Sequence, residues 1–406
     1  MLDIKKIRND FAMFDKYQDL IYFDNAATTF KPKSVVNSIN DILNYQSVNI
    51  HRGDYNLSHD LSNKYDKVRD ITASFINAYS KEIVFTSGAS ESLNLVARGW
   101  GDKFVNEGDI ILTTEAEHAS NILPWFKVAS DKKAIIKYIP LGESGEFIYE
   151  NFLNSIDERV KVVVIAHVTN VLGYVLPIKE ICKKAHEVGA IVVCDGAQSV
   201  PHMPIDVKEL DVDFLAFSAH KLCGPTGVGV LYGKYELLND TEPFLLGGGS
   251  NSRFDMCGNI KLKDAPYKFE AGTPAIEGVI GLGEAILYLQ SIGMQKIYDY
   301  EKEIHEYFVL KLSKLKNVKI YNLNADTGIV TFNVEGIFPQ DVGSYLNSYN
   351  IAIRTGNHCA KILMDVLQTQ YTIRASLYFY NTKEEIDRFV EVLKDITLEK
   401  CIDIVI

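Results

Sequence analysis

Residues 160–166 read Val-Lys-Val-Val-Val-Ile-Ala, a nearly unbroken apolar run dominated by valine. A strand that is apolar on both faces must be covered on both, which is how strands lie inside a parallel sheet. The run ends at His167-Val168-Thr169-Asn170. A helical pattern then opens at Pro177, points Ile178, Ile181, Cys182 and Ala185 inward, and closes at Gly189. Further apolar strands follow at 190–194 and 214–217. Upstream, 83–86 and 109–113 read as strands, and helical stripes run through Val35, Val36, Ile39, Ile42 and Leu43 and through Leu61, Tyr65, Val68, Ile71 and Phe75. Strand, helix, strand in repetition predicts an α/β architecture, a parallel sheet with helices on both faces.

In such sheets ligands gather at the carboxyl ends of the strands. Ala89 and Ser90, His118, Asn170, Asp195, Ser218 and Lys221 all stand at those ends. The turn Ser87-Gly88-Ala89-Ser90 between a strand and a helix start offers free N–H groups and a hydroxyl to a phosphate, although taken alone it is more commonly ordinary N-capping by Ser87 or Ser90. His118 could lie flat on a ring or be a satisfied loop histidine. Lysine forms a Schiff base with an aldehyde, and aspartate keeps a pyridinium nitrogen protonated. The pair Asp195 and Lys221 therefore suggests pyridoxal phosphate (PLP), against the alternative of a turn aspartate and a solvated lysine.

Beyond residue 293 the pattern changes. Ile297, Tyr300, Ile304, Phe308, Leu312 and Leu315 form a long amphipathic stripe. Strands are expected at 318–321, 327–332, 351–354 and 372–376, and Thr382-Lys383-Glu384-Glu385 is a capping box that opens a last helix. The expected division is a large domain over 17–292, with 1–16 and 293–406 forming a smaller α+β domain; 406 residues suffice for both. Gly247-Gly248-Gly249-Ser250 and the polar stretch to Ala265 read as a mobile excursion.

A net charge of -11 argues against a nucleic-acid surface. With no apolar segment at Met1-Leu2-Asp3-Ile4 and no apolar run long enough for a bilayer, the expectation is a cytoplasmic protein without membrane contact. The cysteines, at 182, 194, 223, 257, 359 and 401, are scattered without a CxxC pair, so free thiols and no metal site are expected. Cys359 differs from the others in its setting, Arg354-Thr355-Gly356-Asn357-His358-Cys359-Ala360, where Arg354 and His358 could favour the thiolate. Arg374 lies within an apolar strand and needs an anion; a substrate carboxylate suits its fork. A surface thiol and a structural ion pair are the alternatives. His51, in the loop His51-Arg52-Gly53, is a further weak candidate.

Taken together these motifs resemble the PLP-dependent enzymes of fold type I, class V, and within them the group II, SUF-type cysteine desulfurases. The matching stretches run from about Ile21 to Tyr380: His51-Arg52-Gly53, Glu117-His118, residues 167–173, Asp195-Gly196-Ala197-Gln198, Ser218-Ala219-His220-Lys221, residues 224–227, residues 269–274, residues 354–360 and Arg374-Ala375-Ser376-Leu377. The resemblance implies a homodimer that uses PLP to move sulfur from L-cysteine to a cysteine persulfide, releasing L-alanine, for an acceptor protein of iron–sulfur cluster assembly. It implies that Lys221 carries the cofactor, Asp195 pairs with its ring nitrogen, Gln198 lies near its phenolic oxygen and His118 stacks on its ring. Ala89, Ser90, Ser218 and His220 would form the phosphate cup, and Thr273 would reach the phosphate across the dimer. Cys359 would be the nucleophile, Arg374 the carboxylate binder with Asn170 beside it, and Arg354 and His51 lesser substrate contacts. The chain departs from the family at Asn357, where His is common, at Ile362, where Pro is usual, and at Ala89, Ser90 and Ala219. The short link from Arg354 to Cys359 suits group II. The same residues could serve a selenocysteine lyase, a class V aminotransferase with an incidental Cys359, or a non-catalytic sulfur carrier.

Overall fold

The computed structural model describes residues 2–405. Seven strands form the main sheet in the order Ile83–Thr86, Gly229–Gly233, Phe214–Ser218, Ile191–Asp195, Val160–Ala166, Ile110–Thr114, Ile135–Ile139. All run parallel except Gly229–Gly233, which is antiparallel to both neighbours. Alternation along each strand splits the core in two. Val163, Ile165, Val192 and Cys194 enter one buried cluster, with helices Lys33–Tyr45, Asn56–Phe75, Ile178–Glu187 and Ile276–Ile292. Val162, Val164 and Val193 enter the opposite one, with Leu93, Trp125 and Val128. This is why the valine run has no polar face.

Helices Lys33–Tyr45 and Asn56–Phe75 both approach Ile276–Ile292 closely because of glycine. A Cβ on Gly281 would stand 2.8 Å from Ile39 Cδ1, and one on Gly283 2.7 Å from Val68 Cγ2. The Gly-rich sequence of Ile276–Ile292 is thus a packing requirement.

The smaller sheet is antiparallel, in the order Val318–Ile320, Ile329–Val334, Thr372–Ser376, Arg354–Gly356. Its core joins Ile304, Phe308 and Leu312 of helix Met294–Leu312 to Ile386 and Phe389 of helix Lys383–Lys394. The capping box forms: Thr382 Oγ1 accepts from the Glu385 amide at 3.2 Å, and Glu385 Oε2 accepts from the Thr382 amide at 3.0 Å. The N-terminal stretch touches both cores. Phe11 and Phe14 pack on Tyr380 in the large cluster, whereas Ile21 and Phe23 join the small one, Ile21–Tyr22 pairing in parallel with Ile351–Ala352.

Three elements depart from the pattern read in the sequence. Ile135–Ile139 is a half-exposed edge strand without clear alternation. Gly229–Gly233 is short and glycine-bounded, and reads locally as part of a turn. The stretch after Gly249 holds a hairpin, Asn251–Phe254 with Ile260–Leu262, which carries exposed Phe254, Met256 and Ile260. No helix among the described residues is long and apolar enough to cross a membrane.

Candidate active site

Lys221 follows strand Phe214–Ser218 by a single turn of 3-10 helix, Ala219–Lys221, which lifts its side chain over the strand ends. There it lines a cavity of about 200 Å³, with Asp195 and His118. Burial pulls the Lys221 ammonium down to about 8 from 10.5; Asp195 resists through space, while Arg374 and Arg354 push the same way as burial. Asp195 is itself raised by burial and lowered by the Ala197 amide, which donates to Oδ1 at 2.9 Å, and by Lys221. Its second oxygen is left for a donor in the cavity. Gln198 Nε2 donates to Ala26 O at 2.8 Å, and its Oε1 is buried without a partner. His118 accepts at Nδ1 from the Ser120 amide at 3.1 Å, so its proton sits on Nε2. Burial, with Lys221 and both arginines, lowers the His118 pKa to about 4, so the ring is neutral.

The proposed phosphate end is built from backbone. Gly88 N-caps helix Ala89–Leu95, and a Cβ on Gly229 would come within 2.3 Å of Gly88 Cα, so the two strands meet there without side chains. The Ala89 amide is taken by Ser218 Oγ at 2.8 Å, and Ser90 Oγ pairs with Ser120 Oγ at 2.7 Å. What remains for an anion is the Ser218 hydroxyl hydrogen, the Ser90 amide in the helix's unpaired first turn, and the His220 ring. His220 is likewise held near 4, by burial, Lys221 and Lys31.

The small sheet supplies the cations. Arg354 and Arg374 are direct cross-strand partners, so their side chains share a face, and both line the cavity. Arg374 is 1% exposed; Nη1 donates to Asn170 O at 2.8 Å, Nη2 meets Asp24 Oδ1 at 3.3 Å, and Nε has no partner. Two guanidiniums face one carboxylate, Asp24, so the site is one anion short. Asp24 stands there because strand Ile21–Tyr22 leads it to Ser376, with which it forms a bridge.

Cys359 is exposed beside this face, its Sγ 4.0 Å from Arg354 Nη2. His358 and Cys359 both adopt left-handed backbone, φ 52° and 60°. Four hydrogen bonds hold that unfavourable pair. The Ala119 amide donates to Cys359 O at 2.7 Å, Asn170 Nδ2 to His358 O at 2.8 Å, the Cys359 amide to Asn357 Oδ1 at 3.1 Å, and the Ala360 amide to Asn357 O at 2.8 Å. His358 does not help the thiolate as the sequence suggested. Its ring is buried against Thr372, with Nε2 3.1 Å from both Thr372 oxygens, and burial plus the arginines hold its pKa at about 2. It is neutral, and the cation beside the sulfur is Arg354.

Residues 21–389 match the family model for class-V aminotransferases. The chain belongs to the class-V aminotransferase family. A protein of Halalkalibacterium halodurans described as a probable cysteine desulfurase is 44% identical over 378 residues, 92% of each chain. A Staphylococcus aureus protein of the same description is 42% identical over 403 residues, 97% of this chain and 96% of the relative. Among solved structures, an apo cysteine desulfurase from Thermococcus onnurineus superposes with a TM-score of 0.93 at 39% identity, covering 97% of this chain and 98% of that one. An S-sulfonic acid form of an Escherichia coli cysteine desulfurase gives 0.91 at 32%, covering 99% of each.

For a class-V aminotransferase the residues present fit PLP: a buried lysine amine, an aspartate with a spare oxygen, a neutral histidine and a backbone-lined anion cup border one cavity. Three of the sequence candidates are not in its lining: Cys359, which stands beside Arg354 at its edge, and His51 and Thr273. His51 and Thr273 line a second cavity of about 430 Å³ beside Glu270. His51 is held there by its amide on Ser62 Oγ at 2.8 Å and by Asp66 at 3.7 Å, so within one chain it has no access to Arg374. The sequence does not single out Asp24. The signal available was its place at a strand end, the same position that marked the others.

The turn carrying Thr273 is anchored by a buried forked pair. Arg69 Nη1 and Nη2 donate to Glu270 at 2.7 and 2.8 Å, and the Phe85 amide donates to Glu270 Oε1 at 2.9 Å. Glu270→Ala strands the Arg69 charge in the interior, an expected loss of about 3–5 kcal/mol of stability. Denaturant unfolding measures it, and a loss under about 1 kcal/mol would count against a buried role for the pair.

Proposed function

We propose that this chain is a PLP-dependent cysteine desulfurase of the SUF type, working as a homodimer. The observation that carries this reading is that a held, exposed cysteine stands beside a cavity lined by both the buried Lys221 and the paired Arg354 and Arg374, which share one carboxylate. Bound PLP would act as an electron sink for the substrate carbon next to the amino group. Lys221 would hold it, Asp195 would face its ring nitrogen, Gln198 would reach toward its phenolic oxygen, and Ser218, Ser90 and His220 would take its phosphate. His118, neutral and fixed in one tautomer, would cover the ring.

The rest is done by the chain's own groups. Arg374 and Arg354 bind the carboxylate of L-cysteine, and Asn170 Oδ1, buried without a partner, is available to its amino group. With one end fixed, the Cα proton is brought to Lys221, whose lowered pKa gives a usable fraction of neutral amine near neutral pH. Cys359 Sγ then attacks the substrate sulfur. The S–S bond forms, the C–S bond breaks, and its electron pair stays with the carbon skeleton, which gains protons and leaves as L-alanine. The persulfide on Cys359 is exposed, as a handover to an acceptor thiol requires. The acceptor belongs, on this reading, to iron–sulfur cluster assembly. Thr273 and His51 gain a role only if the second cavity meets a partner subunit.

The deciding experiment supplies L-cysteine and a reductant, and measures sulfide and alanine together. Equal amounts of both, without any 2-oxo acid, are expected. Cysteine consumed only when a 2-oxo acid is added, with that acid converted to its amino acid and no sulfide released, would replace this reading with an aminotransferase.

A further inference from the structure

The residue before His118 is a carboxylate in the interior. Glu117 is 5% exposed, and it gathers donors from three elements that meet beneath the cavity. Oε1 accepts the Thr114 hydroxyl at 2.6 Å, from the end of strand Ile110–Thr114, and the Ala166 amide at 3.2 Å, from the end of strand Val160–Ala166. Oε2 accepts Asn121 Nδ2 at 2.7 Å, from the first turn of helix Ala119–Lys132. His118 caps that same helix through its ring, and its carbonyl accepts from the Asn121 amide at 2.8 Å. Glu117 therefore clamps both ends of the segment from which His118 projects.

The same carboxylate lies beside Asp195. Ala166, which it binds, is the register partner of Asp195. Burial raises the Glu117 pKa to about 7; Thr114, Asn121 and Ala166 lower it, and Asp195 raises it. Cys194, on strand Ile191–Asp195, is held protonated chiefly by burial, with Cys182, Asp195 and Glu117 adding to the effect. A plain strand-end clamp could be made with neutral groups. An acid placed next to another acid, under a cavity, does something a neutral clamp does not.

We propose that Glu117 is a positioning residue that fixes the His118 ring and adds a second negative charge beside Asp195, favouring a positively charged, ring-protonated cofactor. This rests on the reading of the cavity as a PLP site. The charge contribution is strongest when Glu117 is ionised, and it weakens as the pH falls through its own titration.

Glu117→Gln keeps the shape and removes the charge. Asn121, whose Oδ1 is buried without a partner, can turn its amide to meet the new NH2. Thr114→Val removes one donor that favours the carboxylate, so it shifts Glu117 toward its neutral form and acts in the same direction more weakly. The wild type and both variants are loaded with PLP, and the near-visible absorbance is titrated with pH, with thermal melting as the folding check. The midpoint is expected to fall by about half a pH unit or more in Glu117→Gln, since a nearby negative charge no longer supports the protonated form. Turnover of L-cysteine is expected to fall about tenfold in kcat with KM changed less than about twofold, because Arg374 still holds the carboxylate. If Glu117→Gln does not fold, Thr114→Val carries the same readouts. Unchanged midpoints and kcat in the folded variants overturn the proposal. A wild type that binds PLP and titrates but leaves L-cysteine intact would overturn the desulfurase reading, while the spectral result would still judge Glu117.

Discussion

Cys359→Ala is expected to lower sulfide release from L-cysteine by more than about a thousandfold, the scale on which a covalent nucleophile is missed. The fold should not change. Alanine keeps a Cβ, so it meets the same left-handed φ of 60° as the cysteine, and the four hydrogen bonds that hold the loop use backbone, Asn170 and Asn357 rather than the sulfur. PLP uptake should likewise persist, since Lys221, Asp195 and the cup are untouched. The measurement is sulfide and alanine release alongside the absorbance of bound cofactor. Wild-type alanine production by a variant that binds PLP normally would remove Cys359 from the reaction.

Lys221→Ala is expected to abolish both covalent attachment and turnover. Borohydride reduction of the PLP-loaded wild type should fix the cofactor's mass on the peptide containing Lys221, and no such adduct should form in the variant. The pH dependence separates this lysine from a surface one. Attack on an aldehyde needs the neutral amine, and burial places the Lys221 titration at about 8, not 10.5. The rate of PLP capture by cofactor-free protein should therefore rise as pH passes through about 8 and level off above it. A rate that keeps climbing toward 10.5 would mean that the amine is not buried among the cations described.

Much of this was legible locally. Val160–Ala166 announced a doubly covered strand because its alternating side chains enter two different cores, and both cores need apolar groups. The strand-end rule then collected Ala89, Ser90, His118, Asn170, Asp195, Ser218 and Lys221, and all of them line one cavity. The edge strand Ile135–Ile139 escaped because an edge is half exposed and loses its alternation. The reversed strand Gly229–Gly233 escaped because its glycines serve a backbone approach to Gly88 that lies far away in sequence.

The candidate site divides in the same way. Residue type alone marked Lys221, Asp195, Cys359 and Arg374, because each chemistry demands one kind of side chain. It could not tell that His358 turns inward to Thr372 while Arg354, five residues before Cys359, turns toward the sulfur. Nor could it tell that Arg354 and Arg374 share a register, that Asp24 comes to meet them, or that Thr273 and His51 belong to a different cavity.

By itself, the sequence determined the parallel sheet, the set of strand-end groups and the reactive residue types, because periodicity and side-chain chemistry are local properties. Only the tertiary structure decided which charges meet. Strand register and loop direction are set by contacts between distant segments, and those contacts determine that two arginines lack an anion, that a lysine loses its solvent, and that Glu117 lies under the same cavity as Asp195.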